Sequence, residues 1–287
     1  MRGELTRSAV LAQPEWLRAV PTDRRLPEGS VLFTGCGTSF HAAQTGGRAA
    51  QALELLLDPH AHAADLLALV SHEGETPVTL EAAQAFAGPK WCVTGNASSS
   101  TAVLCDEVIV ATPEVEKSYC HTASYTCAVA AIAALRGDDV SWLPEAVTTA
   151  LSDPFPVSTH ERWLVAGAGR DVPTAKEAVL KLREGAFVAA EAHHTEQLLH
   201  GHLAAVDESV RAFVLEGEGR AAERARDAVA ALTELGCEVT LVPTTHPVVD
   251  IVRFQLLTCD LAEARGVDPD LIRRDDARWK RARDAYR

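Results

Sequence analysis

Val31-Leu32-Phe33-Thr34 is a short apolar run that leads straight into Gly35-Cys36-Gly37-Thr38-Ser39 and then into a long alanine-rich stretch from about His41 to Leu57. Apolar strand, glycine turn, helix is the order of a βα unit. The unit recurs. Leu66-Leu67-Ala68-Leu69-Val70 precedes Ser71-His72-Glu73-Gly74-Glu75-Thr76 and a helix-like segment from Val78 to Phe86. Trp91-Cys92-Val93-Thr94 and Val108-Ile109-Val110 read as two more strands, and an alanine-rich helix over about Ser118 to Leu135 follows. Short strands alternating with helices predict an α/β fold with a parallel sheet flanked by helices.

The texture changes near residues 137–160, where Gly137-Asp138-Asp139 is followed by Pro144, Pro154 and Pro156. A junction is expected there. Trp163-Leu164-Val165-Ala166, Gly167-Ala168-Gly169-Arg170-Asp171 and a helix over about Val172 to Ala190 then restart the pattern. Ala212-Phe213-Val214-Leu215 and Val239-Thr240-Leu241-Val242 supply further strands, and Val248 to Ala264 a late helix. The boundaries are 1–27 for a helical lead-in ending at Pro27, 28–145 for a first module and 155–287 for a second with a C-terminal tail. In such sheets ligands lie beyond the carboxyl ends of the strands, the edge where the glycine and hydroxyl turns fall.

Composition narrows the function. With 47% apolar residues among 287, the chain has enough material for packed cores. No apolar run reaches the ~18 residues of a membrane helix, and the N-terminus does not read as a secretion signal. Seven cysteines without a CxxC pair are expected as free thiols in a reducing cytoplasm. A net charge of −13 argues against a nucleic-acid partner. It also means that an anionic ligand needs local donors, such as backbone amides and hydroxyls at helix N-termini.

Two turns offer such donors. Gly37, Thr38 and Ser39 open one helix, and Ser71, His72, Glu73 and Thr76 precede another. Either alone reads equally as an N-capped turn; together, after adjacent strands, they converge on one crevice. GxGxxG and Walker patterns are absent, which disfavours a nucleotide site.

GCGTSFHAA with SHEGETPVTLEAA, and GAGRDVPTAKEAVLKLREGAFVAAEAHHTEQLLHGHLAAVD in the second half, resemble the sugar isomerase (SIS) family, in particular the isomerase domain of glucosamine-6-phosphate synthase. The resemblance runs over roughly residues 28 to 267. It implies two tandem flavodoxin-like SIS modules. It further implies a sugar-phosphate ligand held by Gly37, Thr38, Ser39, Ser71, His72, Glu73 and Thr76, with no cofactor and no metal. Glu184 falls on the general base that moves a proton between C1 and C2 through a cis-enediol. Lys181, three residues earlier, shares its helix face. His200 falls on a ring-opening histidine supplied by a neighbouring subunit, so a homodimer with shared active sites is expected. The implied activity is aldose–ketose isomerisation of a phosphorylated hexose or amino-hexose; alternatives are deamination or ammonia-dependent amination at the same site, and non-catalytic sensing of a sugar phosphate.

Three positions depart from the family pattern. Glu73 stands where a serine hydroxyl is usual, and a carboxylate beside a phosphate dianion is unfavourable. The basic residue usual near Ala123 is missing, with His121 or Lys117 as substitutes. His202 replaces the proline after His200-Gly201. Glu191 lies seven beyond Glu184, two helical turns on if the helix continues. His193, His194, His200 and His202 cluster without HxxxH or HExxH spacing, which favours polar lining over a metal site. Lys280 is the one lysine in the tail, and Arg273 to Arg283 reads as a charged, exposed end. The chain opens Met1-Arg2 without a nucleophilic cysteine, so ammonia from glutamine is not expected.

Overall fold

A computed structural model describes residues 2–286. The lead-in forms helix α1 (Glu4–Arg18), whose buried positions Thr6, Ala9, Val10, Gln13, Trp16 and Leu17 fall on one helical face. The first half then runs β1 (Val31–Gly35), α2 (Thr38–Thr45), β2 (Ala49–Gln51), α3 (Ala52–Leu57), β3 (Leu66–Val70), α4 (Pro77–Ala85), β4 (Lys90–Thr94), β5 (Glu107–Val110) and α5 (Ala123–Arg136). Helix α6 (Leu143–Leu151) follows. The second half runs β6 (Arg162–Gly167), α7 (Val172–Gly185), β7 (Ala189–His194), α8 (Thr195–Leu199), β8 (Val210–Leu215), α9 (Arg220–Glu234), β9 (Glu238–Val242) and α10 (Pro247–Arg265), with α11 (Ala277–Asp284) closing the chain.

Two parallel sheets result, in the orders β2-β1-β3-β4-β5 and β7-β6-β8-β9. The orders match strand for strand up to the fourth. Both place the switch in strand order beside the first strand of the half, where an open α/β sheet forms its crevice. Strand β3 is buried at every position, as a central parallel strand covered on both faces must be. The outer face of the first sheet packs on α3 and α4 through Leu32, Leu55, Leu67 and Ala82. The outer face of the second packs on α9 through Ala212, Val214, Ala225 and Leu232. The inner faces share one core, in which Tyr125, Ile132, Phe155, Trp163, Phe213 and Phe254 are all buried. The halves are therefore joined through the helices between the sheets.

Four expectations are corrected. The stretch 41–57 is two helices with an edge strand between them. At Gly46 a Cβ would sit 2.6 Å from the Phe33 ring, and Gly47 has φ 118, so the chain turns there to pair 49–51 with β1. The helix expected to reach Ala190 ends at Gly185, which packs against Thr258 and Pro269, and the chain then becomes β7. Glu191 is thus on a strand opposite Leu164 rather than two turns along a helix. The lead-in helix ends at Arg18, and α5 begins at Ala123 rather than Ser118.

Candidate active site

The first turn is set by close packing. A Cβ on Gly35 would lie 2.9 Å from both the Ser39 carbonyl carbon and the Val70 oxygen, so only glycine lets β1, β3 and the start of α2 meet. Gly37, at φ 56, precedes α2 and accepts from the amides of Phe40 and His41. The second turn is braced by the loop after β4. Glu75 accepts from the amide and hydroxyl of Ser100 at 2.8 and 2.7 Å, and Thr101 donates to the Gly74 carbonyl. Gly74 has φ 74, and a Cβ there would meet Ser99 Oγ at 2.0 Å. Ser39, Ser71 and Thr76 carry hydroxyls with no hydrogen-bond partner among the described residues.

His72 and Thr38 hold the protein together as well as facing the crevice. The His72 ring is buried and its Nε2 accepts from the Glu116 amide at 2.8 Å, which fixes the proton on Nδ1. Burial lowers its pKa. The Thr38 hydroxyl donates to Glu177 Oε1 and accepts from Lys181 Nζ, each at 3.1 Å, so its proton is already committed. Glu116 in turn accepts from the Thr122 amide and hydroxyl and the Ser124 amide, all at 2.8 Å, a carboxylate at the N-terminus of α5.

Glu73 projects outward, with His121 Nε2 3.8 Å from its carboxylate. Burial lowers the His121 pKa to about 4, so at neutral pH the ring brings no charge to Glu73. Behind it, Thr38, Ser39, His72, His121, Ser124 and Tyr125 line a cavity of about 10 Å³, room for one water. Ser124 Oγ, Tyr125 OH, Thr112 Oγ1 and His121 Nε2 have no hydrogen-bond partner there.

The second half contributes a charged row. Glu177, Lys181 and Glu184 follow the i, i+4, i+7 stripe of α7. Lys181 Nζ lies 2.7 Å from Glu184 and 3.4 Å from Glu177, and Lys181 and Glu177 are both fully buried. Burial opposes the lysine charge, but attraction to Glu184 and Glu177 outweighs it and raises the pKa. Glu177 also meets His41 Nδ1 at 2.7 Å. Glu184 keeps 26% of its side chain exposed. Thr38 thus bridges the glycine turn of the first half to Lys181, which touches Glu184.

The remaining candidates lie elsewhere. His200 ends α8 with 71% of its side chain exposed and its Nε2 2.8 Å from Glu196, and it touches neither turn within one chain. His193 lies on β7, 3.2 Å from Glu191 and 4.4 Å, ring centre to ring centre, from His202. Among the described residues no group of three or more His, Cys, Asp or Glu side chains is placed to hold a metal ion. Glu177 and His41 were missed by the sequence reading. Glu177 was within reach of it, since its four-residue spacing to Lys181 carries the same signal as the three-residue spacing to Glu184.

Two parallel sheets flanked by helices, with hydroxyl-bearing turns at the carboxyl edge, define an α/β protein of the doubly wound class. Residues 158–267 match the SIS domain. The glutamine–fructose-6-phosphate aminotransferases (isomerizing) of Methanothermobacter thermautotrophicus and Thermus thermophilus are 26% and 27% identical to it over alignments covering 84% of the chain. The chain spans about half the length of these curated relatives, 50% in each case. Its fold matches the C-terminal domain of glucosamine-fructose-6-phosphate aminotransferase from Francisella tularensis with a TM-score of 0.76 at 20% identity, over 93% of this chain and 98% of that one. Tagatose-6-phosphate ketose/aldose isomerase from Escherichia coli gives 0.76 at 17% identity, over 94% and 95%. No helix among the described residues is long and apolar enough to cross a membrane.

Proposed function

We propose that the two halves are tandem SIS modules forming an aldose–ketose isomerase for a phosphorylated hexose or amino-hexose. The supporting observation is the contact chain from the glycine turn through Thr38 to Lys181 and Glu184, with distances of 3.1 and 2.7 Å. Through Lys181 it links a partly exposed carboxylate to the turn that opens the first sheet's crevice. Glu184 takes the proton from C2 of the open-chain aldose, the C–H electron pair forms the C1–C2 double bond as O1 takes up a proton to give the cis-enediol, and the same carboxylate returns its proton to C1 as O2 gives up its own proton and becomes the ketose carbonyl. Lys181 positions Glu184, and Glu177 holds the lysine from the other side. Ser39, Ser71 and Thr76, whose hydroxyls are unengaged, hold sugar oxygens; Gly37, His72 and His121 shape the crevice.

His200 serves as the ring-opening acid–base group in a homodimer. Its exposure and its separation from Glu184 within one chain fit delivery to a neighbouring subunit's site. Deamination or ammonia-dependent amination is the second reading, favoured by the names of the relatives and by glucosamine-6-phosphate deaminase from Thermotoga maritima among the structures of like fold. The deciding experiment follows hydrogen exchange at C2 of glucose 6-phosphate, fructose 6-phosphate and glucosamine 6-phosphate in heavy water, with ammonia assayed in parallel. Exchange without ammonia marks the isomerase and ammonia from the amino sugar the deaminase. No exchange with any of the three overturns both.

A further inference from the structure

Thr38 and His41, three residues apart on α2, meet Glu177 and Lys181, four apart on α7. Glu177 and Lys181 are fully buried, and the His41 side chain is only 15% exposed. Apolar side chains at this contact would carry no desolvation cost, so packing alone gives no reason for a carboxylate and an ammonium there. No step of the isomerisation uses His41.

The two oxygens of Glu177 have different donors. Oε2 lies 2.7 Å from His41 Nδ1. A carboxylate only accepts, so the ring carries a proton on Nδ1 whether it is neutral or charged. Oε1 accepts from the Thr38 hydroxyl at 3.1 Å, with Lys181 Nζ at 3.4 Å. The same ammonium lies 2.7 Å from Glu184, the acid that reaches solvent. Attraction to the two acids outweighs burial and raises the lysine pKa, so the ammonium stays charged and is shared unequally between them. Its position depends on how well each carboxylate is satisfied by other donors.

We infer that His41 is a positioning residue: by occupying Glu177 Oε2 it leaves Lys181 to Glu184, and so sets how readily Glu184 takes up a proton. Its part in catalysis rests on Glu184 being the base; its control of the Glu184 proton does not. Without the ring, Glu177 remains ionised beside Lys181 but has lost a donor. The ammonium then draws toward Glu177, and its contact with Glu184 lengthens. A carboxylate that loses a neighbouring cation holds its proton to higher pH. The other titratable groups facing the row keep one state near neutral pH. Burial pushes the Tyr125 hydroxyl and the Cys120 thiol up and the His121 ring down to about 4. Arg183 and Arg273, the latter folded back from the tail onto the Phe187 ring, stay charged at the open end beside Glu184.

Two measurements on the full chain test this. One is the pH dependence of C2 exchange with fructose 6-phosphate. The other is the titration of the Glu184 carboxyl carbon-13 resonance without ligand, assigned by its loss in Glu184→Gln. His41→Ala should move both midpoints up by about one pH unit, with KM within twofold of wild type. Exchange on the acid side then slows up to tenfold, while the rate at high pH changes little. His41→Asn carries an amide donor near the place of Nδ1 and should restore both midpoints. His41→Leu fills the space of the ring without a donor and should behave as His41→Ala. Thermal melting of each variant confirms folding. A rate lowered equally at every pH with unmoved midpoints marks a purely structural contact and overturns the inference. So does a midpoint that falls, or a His41→Asn that behaves as His41→Leu. A carboxyl midpoint that rises in His41→Ala while wild type exchanges no sugar leaves the positioning intact and sinks the role of Glu184 as base. Wild-type exchange with both midpoints unmoved in His41→Ala does the reverse.

Discussion

Glu184 and Glu177 flank one lysine, yet burial gives them different uses. Glu177 is fully enclosed, with Lys181, Thr38 and His41 all on its carboxylate, so it has no path to a ligand. Glu184 shares the lysine but keeps a face to solvent. Replacing Glu184 with Gln keeps the shape and removes the base. C2 exchange, followed by NMR in heavy water, should fall by about 10²- to 10⁴-fold, the range for a lost general base, while sugar-phosphate affinity changes little. Lys181→Met should act on stability. It strands a buried carboxylate on Glu177, a loss of about 3–5 kcal/mol by the usual outcome for half of a buried pair, readable as a lowered urea midpoint. Equal stability of Lys181→Met and wild type would refute this.

At the scale of elements, glycine and tertiary pairing decide what propensity does not. Gly185 ends α7 one residue after Glu184, where a Cβ would come within 2.3 Å of Thr258 Cγ2 on α10. Gly185→Ala should therefore cost about 1–3 kcal/mol as an overpacking change and push α7 away from α10, with kcat for exchange falling more than stability alone explains. A melting temperature and kcat both within error of wild type would refute this. The same positions mark the limit of what was legible in the sequence. The central strands β1, β3, β6 and β8 read clearly, because apolar runs bounded by turns have few other readings. The edge strands β2 and β7 did not. Ala49-Ala50-Gln51 and Ala189 to His194 have helical composition, and only pairing with β1 and β6 makes them strands. The Lys181–Glu184 pair was visible because helical spacing is local. Arg273 was not, because its partner Phe187 lies 86 positions away and a basic tail has no periodicity to show which residue turns inward.

Over the whole molecule, the interior between the sheets ties stability to pH. Burial lowers His121 and His246 from 6.5 to about 4 each, and raises Asp250 from 3.8 to about 6. His121 stands at the first sheet's edge; His246 caps α10 by accepting from the Val248 amide and touches Trp142 from the junction. For a histidine with a depressed folded pKa, the unfolded chain binds more protons between about 4 and 6.5. Its contribution is complete above 6.5 and is lost as pH falls through that window. Asp250 has the opposite sign: its folded form binds the extra proton, and that contribution disappears as pH rises from 3.8 through 6. Each group is worth at most about 3 kcal/mol by the size of its shift. Two histidines outweigh one aspartate, and His72, also lowered by burial, adds to them. The urea midpoint should therefore rise from pH 4.5 to 6.5 and then level off. His246→Asn retains an acceptor for the helix cap without a titrating ring, so it should flatten the rise while leaving the midpoint at pH 7.5 nearly unchanged. If the wild-type midpoint is level across pH 4.5 to 6.5, Asp250 cancels the histidines; if His246→Asn keeps the full slope, the dependence originates at His121 and the first sheet rather than at the contact between the halves.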